Sequence, residues 1–159
     1  VALGEEGYRK VVNLVPEEVE QAFDRLPVTP SNQDPLNQKL LEMLAAYDKG
    51  CQQPEELLAS AAIVARRLYE ADSSSETYFL NLMQTFKRKR VLESDERKRL
   101  QDVAIDSERT YVKAAAYALL DDMDMARNCL NRCTEDERKQ IEDYPISRFF
   151  DRGDNVASE

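Results

Sequence analysis

The sequence predicts an all-α fold of about eight short helices, antiparallel neighbours joined by connections of roughly two to eight residues. Three observations carry that prediction. Only four glycines occur in 159 residues, and the chain is rich in Ala, Leu, Glu, Lys and Arg, which lose least on entering a helix. Apolar residues recur at three- and four-residue spacing, while no segment alternates at the period of two that a half-buried strand requires. Proline and capping residues stand where these periodic runs begin and end.

The first element is "VPEEVEQAFDRL", with Pro16 at the first helical position, acids in the first turn, and Val19, Phe23 and Leu26 on one stripe. "PVTPSNQ" then interrupts the chain with two prolines, and Asp34-Pro35 reads as a cap and first-turn pair. Leu36, Leu40, Met43, Leu44 and Tyr47 repeat at helical spacing until Gly50 stops the run. Pro54 opens a third helix whose apolar arc, from Leu57 and Leu58 to Leu68 and Tyr69, is wide enough to place it centrally.

"ADSSSE" reads as the next helix start, with Ser73 and Glu76 as a capping box. Tyr78, Phe79, Leu82, Met83 and Phe86 supply the buried stripe behind it. A charged helix from Ser94 buries only Leu100, Val103 and Ala104, and another begins near Ser107 with Val112, Ala115, Ala116, Leu119 and Leu120 on its inner face. "DDMD" breaks that helix, and Met125, Cys129 and Leu130 continue a second one. Thr134 with Glu137 three residues on is a strong capping box for a last short helix through Ile141. One helical domain over 1–150 is expected, followed by a polar tail, 151–159.

Around the "DDMD" turn, Ala114, Tyr117, Asp122, Ala126, Leu130 and Cys133 fall at the spacing of small, aromatic, turn, small, large and small positions. In this the stretch 110–133 resembles one tetratricopeptide unit. The resemblance implies a stack of helical hairpins, and the concave face of such a stack binds peptides or partner proteins. Two positions depart from the pattern: Asp121 stands where the family has a glycine, and Thr110 where it has a large aromatic. Upstream, the helix starts near 35, 76 and 108 keep no steady period, so a closed bundle stands beside the stack as an architecture. "EDERKQIEDYPISRFF" is similar to the carboxyl-terminal segment of some uncharacterised bacterial cytoplasmic proteins, which implies a bacterial origin and no activity.

Composition removes many chemistries. The chain contains no histidine, so Ser-His-Asp and Cys-His nucleophiles and two-histidine zinc sites are excluded. The glycines are isolated at 4, 7, 50 and 153, so there is no glycine-rich phosphate loop. The net charge of −9 opposes general binding to nucleic acid, whose affinity comes mostly from neutralised phosphates. No apolar run is long enough to cross a bilayer, the amino end "VALGEEGYRK" does not read as a secretion signal, and three cysteines suit a reducing compartment. A cytoplasmic location is expected.

Few residues remain as candidates for a site. Cys129 and Cys133 are four apart on one helical face, a spacing open to a soft metal or to two small buried core residues, and the core reading is preferred. Asp121, Asp122 and Asp124 lack the spaced ligands of a calcium loop, with Arg127 at the sixth place and Cys133 at the twelfth. They read as an elbow. "FKRKR" concentrates Lys87, Arg88, Lys89 and Arg90, either as a patch for a partner or as cations facing a negative helix end. Phe149 and Phe150 follow a proline, either as a contact surface or as a lid on the last hairpin.

The expected function is therefore that of a non-catalytic cytosolic interaction module of helical-repeat type. It would bind a protein or peptide and need no cofactor or metal. A regulatory or adaptor subunit that meets nucleic acid or an acidic partner through residues 87–90 is the alternative, and a carboxylate-dependent enzyme comes third.

Overall fold

The computed structural model describes residues 16–150, and every regular element within them is helical. In chain order these are α1 Pro16–Arg25, α2 Gln33–Lys49, α3 Pro54–Ala71, α4 Glu76–Lys89, α5 Ser94–Asp106, α6 Thr110–Leu119, α7 Met123–Arg132 and α8 Glu135–Asp143. A 3-10 helix, Pro145–Phe149, ends the described chain. The amino-terminal decapeptide and the tail 151–159 lie outside the described residues. No described helix is long and apolar enough to cross a membrane. The chain divides into two compact units, with the boundary between Lys89 and Arg90.

In the first unit α3 packs against α1, α2 and α4, the central place that its broad apolar arc predicts. Leu57, Leu58, Ala61, Ala62, Val64, Ala65 and Leu68 are all buried along it. Leu40, Met43 and Leu44 of α2 are buried completely. Burying a side chain of this size stabilises the fold by about 1.5–3 kcal/mol. Leu26 departs from the expected stripe and stands 55% exposed. Pro27 disfavours helical backbone at the residue before it, so α1 stops at Arg25 and Leu26 leaves the apolar face.

Three helix starts differ from expectation, those of α2, α4 and α6. α2 begins at Gln33, ahead of the Asp34-Pro35 pair. Asn32 braces the preceding loop instead, where its Oδ1 accepts from the Thr29 amide at 2.8 Å and its Nδ2 donates to the Pro27 carbonyl at 3.2 Å. At α4 the cap is Ser75, not Ser73: its Oγ accepts from the Tyr78 amide at 3.2 Å, satisfying an amide that has no partner inside the helix.

In the second unit α6 is the hub, packing against α5, α7, α8 and the 3-10 helix. It starts at Thr110, three residues beyond the expected Ser107. Ser107 is buried, and its Oγ accepts from the Arg109 amide at 3.2 Å. The Thr134–Glu137 capping box is formed in both directions, at 3.0 and 3.2 Å.

The α6–α7 elbow carries the one non-glycine residue with positive φ among the described residues, Asp121 at 63°. Around it the Asp122 amide donates to the Tyr117 carbonyl at 3.0 Å and the Asp121 amide to the Ala118 carbonyl at 3.1 Å. This nested pair is a Schellman turn, whose left-handed position usually holds glycine. Aspartate tolerates that backbone and a β-branched residue does not. Asp121→Val is expected to lower stability by about 1–2 kcal/mol while Asp121→Gly does not lower it. Thermal melts of both variants check this, and a Val variant as stable as the parent would show that the turn is not fixed.

Candidate functional site

A ladder of polar side chains joins α2 to α4. On α4, Tyr78, Asn81, Gln84 and Arg88 follow one another at three- and four-residue steps and so share a side of the helix. On α2, Gln33, Asn37 and Asp48 share the side that they meet. The Tyr78 hydroxyl donates to Gln33 Oε1 at 3.4 Å, and Asn81 Nδ2 donates to Asn37 Oδ1 at 2.7 Å. Gln84 Nε2 donates to Asn81 Oδ1 at 2.9 Å, and Thr85 Oγ1 donates to the Asn81 carbonyl at 2.7 Å.

The ladder ends in a forked ion pair. Arg88 Nε and Nη2 donate to Asp48 Oδ1 and Oδ2 at 2.9 and 2.7 Å. Its Nη1 donates to both the carbonyl and Oε1 of Gln84, at 3.0 and 3.1 Å. The arginine side chain is wholly inaccessible, and the aspartate keeps 21% of its surface. A planar guanidinium satisfies a carboxylate in this two-bond geometry, where lysine offers only a point charge.

Burial is the main electrostatic influence along this seam. It pushes the Tyr78 phenol above its usual range, and the nearby Asp34 and Asp72 carboxylates push the same way. Away from the seam, on the other side of α2 from Asn37, Lys39 is also buried, and desolvation lowers its ammonium below the usual lysine range against the opposing pull of Glu42. At the rim, Gln33 and Asn37 are only half-buried. Each amide oxygen accepts from α4, closely at Asn37 and at the long distance of 3.4 Å at Gln33.

The four cations of "FKRKR" do not act alike. Lys87 is half-buried and Lys89 exposed, while Arg88 is spent on Asp48. Arg90 forks onto Glu96 at 2.8 and 3.0 Å, and Glu96 Oε1 also accepts from the Glu93 amide at 2.8 Å. The Arg90 hydrogen bond holds the Glu96 carboxyl below its usual value of 4.5, with the Glu93 amide helping and burial opposing. A carboxyl lowered on folding binds its proton more tightly in the unfolded chain. Its stabilising contribution is thus complete above the unfolded value and is lost as pH falls through the folded one. Stability should decline on acidification below about pH 4.5, and the decline should be shallower in Glu96→Gln, as urea titrations at stepped pH would show. Identical pH profiles would refute the coupling.

The two phenylalanines lie against the second unit. Phe149 is buried, with the Arg148 guanidinium 5.8 Å from its ring centre. Phe150, Ile146, Tyr111, Tyr117 and Leu130 pack around a buried cluster of Ala114, Cys129 and Ile141. This is the lid arrangement, which leaves the half-buried Phe150 as the more accessible of the pair.

Cys129 and Cys133 are both buried, and the Cys133 thiol donates to the Cys129 carbonyl at 3.4 Å. Burial first, then Glu137 and Cys129, pushes the Cys133 thiol up against the opposing Arg138. No group of three His, Cys, Asp or Glu side chains among the described residues could hold a metal ion. Asp122 serves the elbow: its Oδ1 accepts from the Met125 amide at 3.2 Å at the start of α7.

Sequence reasoning missed the ladder. The α4 stripe was expected to be aromatic and aliphatic, yet Asn81, Gln84, Thr85 and Arg88 are buried beside it. The available signal was the run Asn81, Gln84, Arg88 at helical spacing beside the apolar stripe of α4. No family model matches the chain, and neither a curated protein nor a solved structure does.

Proposed function

We propose that the chain is a non-catalytic, cytoplasmic interaction module that binds a protein or peptide partner along the α2–α4 seam. The observation that carries this reading is the alignment of Gln33 and Asn37 at the seam's rim, one helical turn apart. Asn81 holds the Asn37 oxygen at 2.7 Å and the Tyr78 hydroxyl reaches the Gln33 oxygen at 3.4 Å, which leaves the N–H₂ groups as the donors a ligand would meet. Preorganised donors lose little freedom on binding, and an extended backbone offers carbonyl acceptors that suit them.

The roles of several carboxylates also favour binding over catalysis. Asp48 holds Arg88, Glu96 holds Arg90, and Asp122 caps α7. A general acid or base must instead face a substrate. The adaptor reading through residues 87–90 is weaker, because Arg88 and Arg90 are already committed to carboxylates within the chain.

The test is affinity capture with the wild-type protein and a Gln33→Ala/Asn37→Ala variant as parallel baits in the native host. The helical circular dichroism of the variant should match the parent, while its melting temperature should fall because the buried Tyr78 hydroxyl and Asn81 amide lose their acceptors, so capture is run at a temperature where both proteins are folded. A partner held by the parent and lost from the variant is the expected result. Equal retention of every specific partner would remove the seam from the interface.

A further inference from the structure

We draw no further inference here: the strongest candidate, the exposed apolar side chains of Val91, just ahead of α5, and Ile105, in its last turn, carries nothing because nothing in the structure shows what covers them.

Discussion

Replacing Asp48 with alanine is expected to lower folding stability by roughly 3–5 kcal/mol, the range for removing one partner of a buried ion pair. The reason is asymmetry. The Arg88 side chain is inaccessible to solvent while Asp48 keeps 21% of its surface. Without Asp48, the guanidinium loses both bonds of its fork to the carboxylate while its side chain stays buried. Without Arg88, the carboxylate can be hydrated where it stands. Arg88→Met, which retains an unbranched stem in the same space, should therefore cost clearly less than Asp48→Ala. Urea denaturation of the two single variants and the double variant gives both losses and their coupling. The double variant should lie close to Arg88→Met, since Asp48 has no guanidinium left to serve. Equal losses in the two single variants would mean that desolvation of Arg88 is not what governs the site.

That ion pair also shows where reading the sequence stops. Partners 40 residues apart leave no periodic trace, because each helix records only which side is apolar and not which polar residue it will face. Local chemistry was far more legible. Pro16 and Pro54 begin their helices, Gly50 ends α2 at a φ of 96°, and Thr134 caps α8, since each signal acts within a turn of the backbone. The central place of α3 was legible for a related reason: an arc apolar on so many sides must have several neighbours.

The misplaced cap at α4 has the opposite cause. Three consecutive serines offer the same hydroxyl, and only the register of the following helix selects Ser75. Arg88 was equally ambiguous. A basic residue in the last turn reads as solvated, and its burial depends on Asp48 from another helix. The direction of Phe149 was open in the sequence as well, because a short apolar segment after Pro145 can face a core or a partner. Phe149 is buried, and its neighbour Phe150 packs on the cluster of Ala114, Cys129 and Ile141.

The elbow between α6 and α7 supports the second large effect. Ala114 and Ala126 are both fully buried, one on each helix of a tightly packed pair. Small side chains at such positions let two backbones approach closely, and the space is gone once they have done so. Ala126→Leu adds three carbons there, and overpacking of this kind lowers stability by about 1–3 kcal/mol. Leucine nearly equals alanine in helix propensity, so the loss cannot be assigned to the backbone of α7. Asp122→Asn is the matched control. Asparagine caps a helix about as well as aspartate, so the bond to the Met125 amide survives and little stability should be lost. Urea denaturation of the two variants orders them, with Ala126→Leu expected to be much the more severe. The reverse order would mean that the alanines do not set the helix spacing and that the Asp122 charge has a role beyond the cap.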